Sequence, residues 1–314
     1  REKIPNFGFS ESAFWGRVTV INKLKKRDWF LSYNYVNQDH VTFFKKVGGK
    51  WIFEKMGDSK SFSERKYKIR SFVFEASKNE KEVYYIRASG NPTQFNLSFL
   101  TKEKMLLLEG ESNVKYSLFF GIVISMVLYN VFIFFFTKSP SYFYYVFYVI
   151  FFGLFLGGRK GLTQKYFFTD NVWLSNSGLL FFGAILSIFL CLFTIEYLNL
   201  QKTTKWIYRF LIGSILLGLI VVIFSFFAPY ETTVKLFLPY TLLIAANVSV
   251  ACVNSMIKGY RPARFFVYAY FFMIIGSVIT HLTMSDILPI YLKEALIIGG
   301  ALELILLSMG LADK

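Results

Sequence analysis

The sequence predicts a two-part protein: an amino-terminal all-β sandwich followed by an all-α bundle of seven membrane-spanning helices. Three observations carry that reading. From Tyr116 to Ala312 the chain is almost continuously apolar and is cut into seven pieces by short polar breaks. Ahead of it, short runs alternate apolar and polar residues and are separated by turn residues. The charge is also uneven, with 22 Lys+Arg and 13 Asp+Glu in residues 1–115 but only 13 and 7 in the longer remainder. A polar domain of residues 1–110 and a bilayer-embedded domain of residues 111–314 follow from this shift.

In the amino-terminal part, Ala13–Leu24 alternates, with Phe14, Val18 and Val20 on one face and Trp15, Arg17 and Thr19 on the other. Trp29, Leu31, Tyr33 and Tyr35 share one face of the next strand. Val41–Lys46 and Trp51–Lys55 flank Gly48-Gly49, a hairpin signal. Lys66–Ala76, Val83–Ala88 and Gln94–Thr101 follow, separated by Ser77–Glu80 and by Gly90-Asn91-Pro92. Short strands at this spacing, without a helical period, indicate an antiparallel sandwich.

A sandwich buries one face of each sheet, so aromatic residues on the outer face need a reason. Trp15 with Arg17, joined by Trp51 and Arg70, is the candidate ligand-binding set. Flat rings stack on sugar faces, and guanidinium groups fork onto hydroxyls or carboxylates. The competing reading puts Trp15 in the core and leaves Arg17 to pair with an acid or to lie along apolar surface.

Lys102–Val114 reads as a linker into the membrane part. Six of the apolar pieces, Tyr116–Phe136, Ser141–Gly158, Val172–Thr194, Phe210–Tyr230, Leu236–Ile257 and Phe265–Ser285, contain no Asp, Glu, Lys or Arg. The seventh, Tyr291–Ala312, contains Lys293, Glu294 and Glu303. Each is about as long as a helix needs to cross a ~30 Å hydrocarbon core. In lipid, each must satisfy its own backbone hydrogen bonds and is therefore helical. Gly153 and Gly157, Ser214 and Gly218, and Gly299-Gly300 are spaced for close helix packing. Asn130 and Glu303 are the candidate signal-relay residues, because polar groups inside a bilayer are expensive. For Glu303 the alternative is a carboxyl that simply bonds a neighbouring helix. With the sandwich outside, the inner loops carry seven Lys+Arg and the outer loops five, a weak bias in the direction of an inside carboxyl terminus.

Other classes find little support. The net charge of +15 is scattered along strand-like runs and forms no nucleic-acid-binding arm. Cys191 and Cys252 both lie in apolar pieces and build no disulfide framework for the soluble half. The sequence has no P-loop, nucleophile elbow or zinc-helix motif and only two histidines, so neither catalysis, a cofactor nor a metal is expected.

Several motifs agree in order with one family. Leu128-Tyr129-Asn130 followed by Ser141–Tyr145, Gly259–Arg264 (GYRPAR) and Glu303–Lys314 (ELILLSMGLADK) resemble the membrane part of the bacterial seven-transmembrane receptors with diverse intracellular signalling modules. Ser12–Thr19 (SAFWGRVT) and Arg70–Phe74 resemble that family's second type of extracellular domain. The resemblance implies a jelly-roll-like periplasmic sensor of carbohydrate-binding type. It also implies seven helices in the bacterial inner membrane, a cytoplasmic carboxyl terminus and an output module after Lys314. An exported domain of this kind is expected to follow a signal peptide. The expected partners are the lipid bilayer, a carbohydrate or other small-molecule ligand and a second copy of the chain. The rival class is a transporter or channel with an extracellular cap, but repeated halves and a polar pathway are missing from the sequence.

Overall fold

The computed structural model describes residues 5–8, 10, 12–22, 28–76, 81–90, 92–284, 287–288, 292 and 294–314. The expected turns at Ser77–Glu80 and Asn91, the end of the first expected strand at Lys23-Leu24, and Tyr291 and Lys293 lie outside the described residues. The chain forms two compact units. One comprises Arg1–Lys115 together with Gly157–Leu179, and the other comprises Tyr116–Leu156 together with Leu180–Lys314.

The first unit is a β sandwich. Its strands are β1 (Asn6–Gly8), β2 (Phe14–Ile21), β3 (Trp29–Tyr33), β4 (His40–Val47), β5 (Lys50–Met56), β6 (Phe72–Glu75), β7 (Lys81–Ser89), β8 (Thr93–Gln94) and β9 (Leu97–Thr101). They pair antiparallel as a four-stranded sheet in the order β2-β7-β4-β5, a three-stranded sheet β6-β3-β9 and the small pair β1-β8. Gly48 and Gly49 close the β4–β5 hairpin with φ of 57° and 82°, which suits a two-residue primed turn. The pleat sends alternate residues inward. Leu31, Tyr33, Phe72 and Phe74 of the smaller sheet meet Val41, Phe43, Tyr84, Ile86 and Ala88 of the larger. Phe43 stacks on both Phe74 and Tyr84, with centroids 5.1 and 5.2 Å apart.

Two strand expectations are corrected. The run Lys66–Ala76 yields a strand only from Phe72, because a 3-10 turn at Phe62–Glu64 and the buried Arg65 organise the residues before it. The Arg65 Nη1 donates to the carbonyls of Ile69 (3.3 Å) and Arg70 (2.8 Å), holding that segment as a loop. The run from Gln94 is split into β8 and β9.

The expected linker is also corrected: β9 ends at Thr101 and helix α1 (Lys102–Thr137) begins at the next residue. Met105, in its first turns, packs with Phe30, Ile69 and Val73 on the outer side of the three-stranded sheet. That anchor makes the polar-looking stretch helical. At 36 residues α1 is the longest helix among the described residues.

The remaining helices are α2 (Pro140–Arg159), α3 (Leu162–Tyr166), α4 (Val172–Asn176), α5 (Gly178–Tyr197), α6 (Leu200–Thr203), α7 (Lys205–Phe227), α8 (Tyr230–Ile257), α9 (Ala263–Met284) and α10 (Ala295–Ala312). Seven of the ten helices among the described residues are long and apolar enough to cross a membrane: α1, α2, α5, α7, α8, α9 and α10. The apolar run read as one span from Val172 divides, because Asn171 caps α4 by accepting from Leu174 N–H (3.0 Å) and a new helix starts at Gly178.

Within the second unit, the closest approach is between α9 and α10. A Cβ on Gly299 would lie 2.5 Å from Phe272 O, and one on Gly276 would lie 2.6 Å from Ala295 O, so only glycine allows these backbones to touch.

Candidate functional site

The pleat of β2 puts Phe14, Gly16, Val18 and Val20 inward and Trp15, Arg17 and Thr19 outward, as the alternation predicts. Trp15 is 59% exposed and Trp51 51% exposed, so neither is in the core. Register aligns Trp15 with Arg87, Thr42 and Lys55 in one row across the sheet. The next row is Arg17, Tyr85, Phe44 and Phe53. The rings touch one another: Trp15 stacks on Phe44 at 5.3 Å, Phe44 meets Phe53 at 6.0 Å, and Trp51 stands edge-on to Tyr85 at 5.4 Å. Lys55 Nζ sits 5.4 Å over the Phe53 ring. Among the described residues, the outward positions of these four strands carry no Asp or Glu, while Arg17, Lys46, Lys55, Lys81 and Arg87 carry positive charge. Such a face can stack flat rings and attract anions. Trp15, Arg17 and Trp51 are thus brought onto one sheet face.

Arg70 is not brought there. It is buried ahead of β6, and its guanidinium forks onto Glu109 of α1, with Nε to Oε1 and Nη2 to Oε2 both at 3.2 Å. Lys165 Nζ reaches the same carboxylate at 2.9 Å. The bidentate geometry commits Arg70 to a structural ion pair.

These contacts belong to a larger seam that sequence reasoning missed. Residues 157–179, between the second and third spans, fold against the sandwich as part of its unit. Phe62 N–H donates to Thr169 O (2.8 Å), and Ser61 Oγ and Ser63 Oγ both donate to Asp170 Oδ1. The Arg65 Nη2 donates to Gln164 Oε1 (2.8 Å), and Gln164 Nε2 donates to Lys60 O (3.4 Å). Asn176, at the end of α4, donates from one amide nitrogen to Asp39 Oδ1 (3.1 Å) and Asp58 Oδ1 (3.2 Å). Burial, and then the adjacent charge of Asp39, push the Asp58 carboxyl up to about 8, against the pull of Asn176 and Arg65. Burial lowers Arg65 to about 10, with the Asp58 charge opposing.

In the second unit, Asn130 and Glu303 are fully buried. The Asn130 amide donates to Ser308 Oγ of α10 (2.9 Å) and to Met126 O (2.8 Å). Tyr148 OH donates to Glu303 Oε1 (2.8 Å), and Glu303 Oε2 has no hydrogen-bond partner among the described residues. Tyr142 and Tyr145, on the same face of α2, donate to the carbonyls of Leu311 and Leu304. Three tyrosines at a spacing of three therefore hold α10. Tyr142 and Tyr145 fall in the Ser141–Tyr145 motif singled out in the sequence, but their role and that of Tyr148 were not read there. Among the described residues no cluster of three His, Cys, Asp or Glu could hold a metal.

Residues 112–314 match the family described as 7TM diverse intracellular signalling. The chain belongs to the 7TMR-DISM family. Residues 1–101 match its extracellular domain of the second type, described as 7TMR-DISM extracellular 2. No curated protein and no solved structure matches the chain significantly. As a 7TMR-DISM protein with seven spanning helices, it is a multi-pass membrane sensor whose amino-terminal domain is extracellular.

Proposed function

We propose that this 7TMR-DISM chain binds an anionic or densely hydroxylated saccharide on the outward side of β2-β7-β4-β5 and relays that event through its helices to a cytoplasmic output module. The observation that carries the ligand class is the acid-free aromatic face. Trp15, Phe44 and Phe53 offer stacked rings, and Arg17 and Arg87 flank them with guanidinium forks. Rings stack on sugar faces and guanidinium groups pair with carboxylates or sulfates. The jelly-roll-like description of the sandwich, a functional division near residue 110, the bacterial inner membrane and a cytoplasmic carboxyl terminus belong to the same reading. The segment 157–179 couples the sandwich to α2 and α5, which flank it, and α10 carries the change inward through Asn130 and Glu303. A ligand shifts such a system only through unequal affinity for its two states.

The test is calorimetric titration of the full chain in nanodiscs with sulfated, uronic-acid and neutral oligosaccharides. Stacking on one ring supplies about 1 kcal/mol, so dissociation constants in the micromolar to millimolar range are expected. Trp15→Ala and Arg87→Ala should each weaken binding by about tenfold, one decade being ~1.4 kcal/mol. Folded variants that bind like the parent, or a parent that binds none of the three classes, would overturn the reading.

A further inference from the structure

Asp39 and Asp58 face each other across a single side-chain amide. Asn176 bridges their Oδ1 atoms at 3.1 and 3.2 Å, and the Asp39 carboxyl acts electrostatically on Asp58. Asp58 is buried. Its own N–H donates to Gln38 O (2.9 Å), and Ser59 Oγ donates to Asp39 O (2.6 Å), which fixes both acids on the sandwich side. Gly57 and Gly90, with φ of 156° and 125°, pack against Asp39, so a side chain at either position would displace it. The carboxyl pair is thus built in place on one piece of chain and closed by Asn176 from another, 118 residues beyond Asp58.

Asp58 is buried and Asp39 half-buried beside it, so a second charge on this pair carries a penalty from desolvation and from like-charge repulsion. With one proton between them, one oxygen donates to the other acid and the Asn176 amide spans the pair. With none, a second like charge is placed beside the buried Asp58 carboxyl, and burial opposes it. Arg65 follows the 3-10 turn and acts on Asp58. Tyr35 lies between β3 and β4, with its phenol pushed up by burial and then by Asp58, and Arg159 acts on that phenol from the end of α2. His40 Nδ1 is bonded to Ser59 Oγ (2.8 Å). Arg65 is engaged with two backbone carbonyls and Gln164, and from there its charge only partly opposes the rise at Asp58.

We propose that Asp39, Asp58 and Asn176 form a proton-dependent clamp on residues 157–179, closed while the two carboxyls share a proton and released when both ionise. The clamp makes the attachment of α4 to the sandwich sensitive to external pH. It deepens the coupling reading above by naming a regulator of the seam, and its test reads the seam itself, so its failure is distinguishable from failure of the ligand reading.

The experiment is hydrogen–deuterium exchange of the full chain in nanodiscs from pH 6 to pH 9.5, corrected for the intrinsic pH dependence of amide exchange. Amides of residues 172–177 should exchange at a corrected rate that rises from pH 6 to about pH 8, by up to about tenfold per pH unit as in a one-proton equilibrium, and levels off above about pH 8, where both acids are ionised in the closed and the released state alike. Asp58→Asn keeps a neutral donor at the site and should stay slow throughout. Asn176→Ala should exchange fast at every pH. A parent whose corrected rate is flat to pH 9.5, or an Asp58→Asn chain that accelerates like the parent, overturns the proposal. If Asp58→Asn does not fold, Asp39→Asn removes the like charge instead, and retention of the parent's pH dependence there overturns it equally.

Discussion

The hydroxyl of Tyr148 donates to one oxygen of Glu303 at 2.8 Å, while the other oxygen of that buried carboxyl has no partner among the described residues. A half-satisfied polar group at the centre of a helix bundle holds its helix less firmly than a fully bonded one. α10 is otherwise tied by Tyr142, Tyr145 and the Asn130–Ser308 pair, so Glu303 is the place in that row where a small change of state has room to act.

Glu303→Gln keeps an acceptor for Tyr148 and should leave expression and folding intact. The output of a receptor carrying this transmembrane half should nevertheless change, read as enzyme activity of an attached module with and without stimulus. Unchanged output at normal expression would make Glu303 purely structural. Tyr148→Phe should cost about 1 kcal/mol of bundle stability, the worth of one hydrogen bond.

Exposure separates two aromatic substitutions. Trp15 stands outside the sandwich, so Trp15→Ala should cost the chain less than about 1 kcal/mol, on the scale of one ring–ring contact. Phe43, stacked between Phe74 and Tyr84 in the core, should cost about 3–5 kcal/mol when cut to alanine. Chemical denaturation followed by tryptophan fluorescence distinguishes them. Comparable losses would mean that Trp15 is a core residue.

Removing Arg70 should be costly for a different reason. Glu109 would keep only Lys165, and a carboxylate with 12% side-chain exposure would lose its bidentate partner. Breaking a buried pair from one side costs about 3–5 kcal/mol, and the surviving lysine should reduce that. Arg70→Met should therefore lower the melting temperature clearly, and the double variant Arg70→Met with Glu109→Leu should recover part of the loss.

The pH dependence of stability follows from Asp58. Its folded value is raised to about 8 from an ordinary carboxyl value near 4, so the folded state keeps a proton that the unfolded chain releases. Its contribution is complete below about pH 4 and is lost progressively as pH rises to about 8. Asp58→Asn should flatten the thermal stability of the chain over that window. A parent and variant with parallel pH profiles would contradict the assignment.

Topology is testable with thiols. A cysteine at Lys50, in the β4–β5 hairpin, should react with a membrane-impermeant reagent in intact spheroplasts. One at Thr203, at the end of α6, should react only after lysis. The reverse pattern would invert the protein.

The spans and the outward face of β2 were legible in the sequence because bilayer thickness and the β pleat impose local periods on the chain. Trp15 and Arg17 fall where alternation puts them. Arg70 did not, since nothing local distinguishes an alternating run from a loop stapled by Arg65. The helical start of α1 was hidden because Glu109, Gly110 and Ser112 look like a break, whereas burial of Met105 is decided by residues far away in sequence. Asp39, Asp58 and Asn176 read as ordinary turn and loop residues, because their meeting depends on chain closure across more than a hundred positions and leaves no repeat to find.

The attachment of residues 157–179 to the sandwich has a consequence for how the protein is made. The nine strands among the described residues are complete by Thr101, but Asp58 and Arg65 are synthesised about a hundred residues before Asn176 and Gln164. The chain must insert its first two spans and return outward before the extracellular unit can receive its last piece. Until then a buried-to-be arginine and an acid pair face water, and the unit is finished only after the membrane has been crossed twice. Biogenesis therefore proceeds as an interleaved sequence, with membrane insertion as an intermediate step in folding the part that lies outside the membrane.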